Sequence, residues 1–346
     1  MKLKALLELV IAVVFASLVS SLTVKAQEDT SPSSFVTKIY FVNTSQGWAL
    51  AEKKDSSFIL KTNDGGDHWV EQYRAKQAGF FGIKFANSDV GWVIGNGGII
   101  LHTSDGGVTW QNQVSGTTAV LTGLSIIDAD RVWVSGPVGT LLFTTDGGRT
   151  WSMKKVNAQV AISDIMFVDK QHGWAVGYGT IFSTSDGGDT WEVKSSGDWK
   201  PLSSVFFANK DIGWITVGPV ILRTTDGGKT WKETIPPSQG RIAGLSFIDA
   251  QHGWVAKSRG EEGSIVHVPG HDKLSSESFI LSTNDGGSTW RKMFHIKSDK
   301  DHSAWIINIF FLDRSRGWAI GRDGLILRTV NGGKTWSRLQ SILRNQ

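Results

Sequence analysis

Thr144-Thr145-Asp146-Gly147-Gly148-Arg149-Thr150-Trp151 decides the fold, because it is one of seven copies of the same box. The others occupy residues 62–69, 103–110, 184–191, 224–231, 283–290 and 329–336, the last with Asn331 where the rest carry aspartate. Successive box tryptophans lie 41, 41, 40, 40, 59 and 46 residues apart. A second landmark precedes each box: an apolar residue seven positions before another tryptophan. These pairs are Phe41/Trp48, Phe85/Trp92, Ile126/Trp133, Phe167/Trp174, Phe207/Trp214, Phe247/Trp254 and Phe311/Trp318. The two landmarks absorb 14 of the 16 tryptophans, so the chain is an array of one repeated unit.

Each unit reads as four short strands, A to D, separated by turns of Gly, Asp, Asn and Ser. In the third copy they are predicted at residues 121–127, 131–135, 140–144 and 150–155. Strand A alternates apolar residues, as in Ile165/Phe167 and Leu245/Phe247, which suits a half-buried strand. One such sheet cannot bury both faces; seven arranged radially can. The first and last copies look like the middle ones rather than like caps, so a closed ring follows. The fold class is all-β, a seven-bladed β-propeller of four-stranded antiparallel blades spanning residues 35–343.

The box falls in the C–D turn. There its carboxylate can accept N–H hydrogen bonds and its glycines permit positive φ. Asp64, Asp105, Asp146, Asp186, Asp226, Asp285 and Asn331 are therefore assigned to structure. A calcium loop or a catalytic role is the other reading of this pattern, but seven copies around one rim cannot converge on one substrate.

Composition bounds the remainder. The chain has 346 residues and a formal charge of +4, too mild to imply nucleic acid. It has no cysteine, which excludes disulfides, thiolate metal sites and a Cys nucleophile. Lys2 and Lys4 precede a mostly apolar run to Leu22, and Val24-Lys25-Ala26 offers a cleavage site. This predicts a signal peptide over residues 1–26 and a flexible lead-in over 27–34, with an uncleaved anchor as the alternative. Export to the periplasm, a lumen or the medium follows, with no membrane span once the signal is removed.

These residues resemble the Asp-box (bacterial neuraminidase repeat) propellers. Among those, Gly91-Trp92-Val93-Ile94-Gly95 with Leu101-His102-Thr103, and Gly317-Trp318-Ala319-Ile320-Gly321 with Leu327-Arg328-Thr329, are similar to the photosystem II stability and assembly factor family. The resemblance covers roughly residues 34–340. It implies a chaperone-like factor, in a lumen or periplasm, that holds a photosystem reaction-centre subunit during assembly. Many cyanobacterial members of that family resemble lipoproteins, and this chain has no cysteine to acylate. The family's arginine patch finds no residue-by-residue match either: Arg314, Arg316 and Arg328 are expected on the opposite rim from Arg241, Arg259 and Arg322.

Sialidases share the box, but their chemistry needs an arginine triad and a tyrosine nucleophile beside a glutamate. Only Tyr40, Tyr73 and Tyr178 are present, and the arginine-rich N-terminal signature is missing. Xyloglucanases place their cleft between two propellers. A non-enzymatic binding scaffold without a cofactor is the reading adopted; an exported glycan-binding or glycosidase-type propeller is the alternative. The partner is expected to be a protein, such as a membrane-protein assembly intermediate, and the scaffold a monomer.

Antiparallel order puts the A–B and box turns on one rim, the bottom, and the B–C turns and D–A links on the other, the top. Two irregularities then fall on top: an insertion over residues 258–278 and a longer D–A link over 295–304. Loops that break a regular scaffold concentrate function. These two carry His267, His271, His295 and His302 with Arg259, while Trp199, Trp305 and Arg241 lie in or beside neighbouring top-side segments. These eight residues are the candidate partner-binding set. A neutral solvated insertion is the other reading; a His–Asp metal site using Asp272 is a further one, though its spacing matches no known ligand pattern.

Overall fold

In the computed structural model, residues 34–156, 160–260, 276–298 and 304–339 are described. The signal segment, the insertion proper at 261–275, and His267, His271, Asp272 and His302 lie outside the described residues.

Seven antiparallel sheets follow one another along the chain, each with its strands in sequence order. Blade 1 covers residues 34–76, blade 2 80–113, blade 3 123–155, blade 4 162–201, blade 5 204–234, blade 6 241–297 and blade 7 306–338. In blade 3 the strands are Gly123–Ile126, Val132–Ser135, Thr140–Thr144 and Ser152–Lys155, within two residues of the sequence reading. Blade 4 joins B and C into one element, Gly173–Thr184. Its first half pairs with strand A and its second half with strand D.

The seven boxes repeat one hydrogen-bond scheme, except that His68 replaces the final hydroxyl in the first and Asn331 Nδ2 donates to the Thr335 hydroxyl in the seventh. In the third, the Thr144 hydroxyl donates to Asp146 Oδ1 at 2.7 Å and accepts from the Gly148 N–H at 2.8 Å. Asp146 Oδ1 also accepts the Thr150 N–H at 3.0 Å, and Oδ2 its hydroxyl at 2.7 Å. Gly147 and Gly148 sit at φ of 72° and 83°, where a Cβ would be strained. In every blade the N–H of the first box glycine donates to a carbonyl of the A–B turn of the same blade, as from Gly147 to Asp130 at 3.0 Å. This bond ties both turns to one rim.

Blades meet through tryptophan. Six strand-B tryptophans stack on the strand-A phenylalanine of the next blade, Trp174 on Phe207 at 3.5 Å and 7°, for example. Five of them also donate Nε1–H to a glycine carbonyl in the next blade's box. The ring closes in the same way. Trp318 of blade 7 stacks on Phe41 at 3.6 Å and donates to Gly65 O of blade 1 at 2.9 Å. Arg328 adds an ion pair to Asp67 at 3.0 Å. No strand is exchanged between the ends among the described residues, since both terminal blades are built from their own segments.

The strand-A phenylalanine dictates a glycine that the sequence reading passed over. A Cβ on Gly47 would lie 2.4 Å from the Phe41 ring, and Gly91, Gly173, Gly213, Gly253 and Gly317 meet their own phenylalanines at 2.4–2.6 Å. Blade 3 has Ile126 in place of phenylalanine, and there the position before the tryptophan is Val132, directly paired with it. The exchange keeps the volume filled. Its consequence appears next door: Trp92 loses its stacking partner, and its buried Nε1–H has no acceptor among the described residues. Gln113 instead donates to the waiting Gly147 carbonyl at 3.0 Å.

Candidate functional site

Blade 6 extends its B–C hairpin on the top rim. Its strands B and C, Gly253–Gly260 and Ser276–Thr283, stay paired out to Gly260↔Ser276. Two expectations are corrected here. The ends of the insertion, residues 258–260 and 276–278, are strand rather than loop. His295 lies within strand D, Arg291–Lys297, because backbone pairing with the extended strand C continues to Glu277↔Lys297.

That extension lines up three polar side chains. Arg259 on strand B is register partner of Glu277 on strand C, and its Nε donates to Glu277 Oε1 at 2.8 Å. The guanidinium also donates to Gln239, in the link from blade 5. From strand D, His295 Nε2 reaches Glu277 Oε2 at 2.7 Å. The His295 ring stacks on Phe279 at 4.5 Å, and Lys292 stands 4.5 Å from the Phe279 ring. The hydrogen bonds from Arg259, then His295, hold the Glu277 carboxyl below its ordinary pKa.

The floor beneath is polar and buried. Lys257, 1% exposed, donates to Pro236 O at 2.9 Å and Ser238 O at 2.6 Å. It thereby pins the link that carries Gln239 and leads into Arg241. Burial pushes its pKa down. Ser258 donates to Ile306 O at 2.7 Å and Ser278 to Ala304 O at 2.5 Å, anchoring the start of blade 7 on both sides of Trp305. Half-buried Trp305 lies against the backbone of Gly260, where a Cβ would come within 2.9 Å of the ring, and Arg322 stands 5.1 Å from it.

Arg259, His295 and Trp305 are thus brought to one corner of the top rim, at blades 6 and 7. Exposed Arg241 opens strand A of blade 6 and pairs with Ser258, beside Arg259. Trp199 is on another blade, near the end of strand D of blade 4, Glu192–Pro201, beside the link to blade 5. The opposite rim holds Arg314, paired with Asp249, and Arg316, paired with Asp313. Sequence reasoning missed Glu277, Lys257 and Gln239, and it placed Arg322 on this rim without adding it to the binding set. Opposite charges at 259 and 277, flanking the insertion, were a readable signal for the first of these.

A closed ring of seven four-stranded blades with this box in each C–D turn is an Asp-box β-propeller. The family profile described as Photosynthesis system II assembly factor YCF48 matches residues 22–118, 151–244 and 269–345, more than half of the chain, which therefore belongs to that family. The unmatched stretch before residue 151 contains the divergent Ile126 and Val132. Photosystem II stability/assembly factor HCF136 of Arabidopsis thaliana chloroplasts is 29% identical over 66 residues, 19% of this chain and 16% of that protein. A structure of YCF48 bound to D1 peptide superimposes with TM-score 0.66 at 20% identity, covering 87% of this chain and 93% of that one. YCF48 from Cyanidioschyzon merolae gives 0.56 at 22%, covering 77% and 86%. The Niastella koreensis GH74 enzyme gives 0.66 at 15%, covering 88% of this chain and 54% of its own.

Proposed function

We propose that this protein is an exported, non-enzymatic scaffold that holds an extramembrane segment of a photosystem reaction-centre subunit during assembly. Membership of the assembly-factor family carries the reading, and the similar structure of YCF48 bound to D1 peptide supports a peptide as the ligand. The top-rim corner of blades 6 and 7 is the proposed contact. It offers an indole, two guanidiniums and an imidazole on a rigid sheet edge, the residue types that anchor protein interfaces. Export is supported by the basic, apolar and small-residue order of residues 2–26. Among the described residues, no helix is long and apolar enough to cross a membrane.

A glycosidase needs two carboxylates free to face a sugar. The box carboxylates are instead committed to their own turns, and Glu277 to Arg259 and His295. The test is fluorescence anisotropy of the mature domain against labelled peptides tiling the extramembrane segments of reaction-centre subunits. At least one peptide should bind, and Arg259→Ala and Trp305→Ala should each weaken it tenfold or more. Binding unchanged in both variants moves the contact elsewhere. Hydrolysis of sialosides or β-glucans by the purified domain overturns the scaffold.

A further inference from the structure

The box turns also join neighbouring blades through charge. The sixth residue of the box is aspartate in two copies, Asp67 and Asp189. Each pairs with a cation from the blade before it. Arg328, on strand C of blade 7, reaches Asp67 at 3.0 Å, and Lys154, on strand D of blade 3, reaches Asp189 at 2.9 Å. A carboxylate at this place in the turn is thus the acceptor for a cation arriving from the preceding blade.

The junction of blades 5 and 6 presents such a cation to a box without that carboxylate. Strand C of blade 5, Val220–Thr224, carries Arg223 immediately before its box, the position Arg328 holds in blade 7. Each arginine pairs with its own strand-B tryptophan, Trp214 or Trp318. Each guanidinium also lies over the first glycine of the next box. A Cβ on Gly286 would come 3.0 Å from Arg223 Nη2, and one on Gly65 3.3 Å from Arg328 Nη1. Arg328 finds Gly65 O and Asp67 there. In the sixth box the residue equivalent to Asp67 is Ser288, whose hydroxyl donates to Asp285 O within its own turn. Among the described residues, Arg223 has no hydrogen-bond or ion-pair partner, and its Nε is sealed from solvent without an acceptor. The residue as a whole is half-buried, so its terminal nitrogens are the ones solvent reaches.

A second cation stands beside it. Lys232, which opens strand D, Lys232–Thr234, is the direct cross-strand partner of Arg223. Directly opposed residues project from one face of the sheet, and like charges so placed repel. The equivalent pair in the six other blades never sets two cations together. Lys61, the cation at this strand-C position in blade 1, stands 5.3 Å from the Trp48 ring instead.

We infer that the bottom rim between blades 5 and 6 binds an oxyanion, a carboxylate or a phosphate, on the terminal N–H groups of Arg223 with Lys232 beside it. The anion takes the place that Asp67 fills against Arg328. It relieves the repulsion between the two cations and supplies the guanidinium with charge-assisted hydrogen bonds, for which its planar fork is suited. The site lies on the opposite rim from the top-rim contact and does not depend on it. An acidic side chain of a bound protein and a free anion present the same chemistry.

Titration of the isotope-labelled mature domain with sodium acetate, sodium phosphate and the peptide acetyl-Gly-Glu-Gly-amide, at neutral pH and constant ionic strength, tests this. NMR follows the arginine Nε–Hε cross-peaks. The Arg223 peak, assigned by its loss in Arg223→Lys, should move saturably, and that of Arg328, already paired, should stay. The glutamine counterpart of the peptide should move neither. Lys232→Met should weaken each anion about threefold or more. Ser288→Asp supplies within the chain the carboxylate that the first and fourth boxes already carry. It should abolish the titration and raise the melting temperature in chloride above that of the parent. Arg259→Ala should leave the anion affinities unchanged. Tighter binding of the peptide than of phosphate assigns an acidic side chain; tighter binding of phosphate assigns a free anion. No saturable movement with any anion, equal movement of the Arg328 peak, or undiminished binding by Ser288→Asp overturns the proposal. If Arg223→Lys fails to fold, an anion-dependent rise in melting temperature that is equal in the parent and in Ser288→Asp overturns it.

Discussion

Replacing Trp318 and Trp92 by phenylalanine, one at a time, separates what an indole N–H contributes from what its ring contributes. Both side chains are buried, at 1% and 0% exposure, and occupy equivalent positions in strand B, so both variants lose a similar apolar volume. Trp318 also loses its 2.9 Å bond to Gly65 O at the ring closure, a neutral hydrogen bond of about 1 kcal/mol. Among the described residues, the Trp92 Nε1–H has no such bond to lose. Its replacement removes an unpaired buried donor whose desolvation costs about 1–3 kcal/mol. Trp318→Phe should therefore destabilise the domain by about 2–4 kcal/mol more than Trp92→Phe. Urea unfolding followed by far-ultraviolet circular dichroism measures the difference. Losses equal within about 0.5 kcal/mol would show that the interblade hydrogen bond does not contribute as argued.

Other outcomes follow from the same contacts. Gly47→Val should overpack against Phe41 and cost about 1–3 kcal/mol. Adding Phe41→Ile, the pairing blade 3 already uses, should recover most of that loss; no recovery in a double-mutant cycle would discount the coupling. Hydrogen bonds from the following threonine, side chain and backbone, hold the Asp105, Asp146 and Asp285 carboxyls down to about 2. These groups are depressed in the folded state, so their stabilisation is complete above the unfolded value near 4 and is lost as pH falls from about 4 to about 2. A melting temperature flat across that window would contradict the scheme. Trp151→Ala should cost about 3–5 kcal/mol, and once refolding is allowed for, peptide binding should be unaltered. Deleting residues 261–275 spares the Arg259–Glu277 pair, so the domain should melt within a few degrees of the parent. Weakened peptide binding in that deletion would add the insertion to the contact surface.

The architecture was legible because it rests on repetition. A box and a tryptophan seven residues beyond an apolar position recur seven times, and each landmark has a local reason: turn hydrogen bonding at the box and period-two burial on strand A. The sequence determined the blade number, the strand order and the common rim of the boxes. It also held the linked change of Ile126 and Val132, which acquires meaning only once the phenylalanine ring is seen lying over the glycine. Position along the chain misassigned His295 to a link, because strand ends are set by pairing with a neighbour rather than by local composition. Glu277 joins Arg259 and His295 across 18 residues on either side, and Trp318 meets Phe41 and Gly65 from the far end of the chain. No sequence period relates such residues. They meet because hydrogen-bond register aligns three strands in one sheet and because ring closure sets blade 7 against blade 1, and only the tertiary structure decides either.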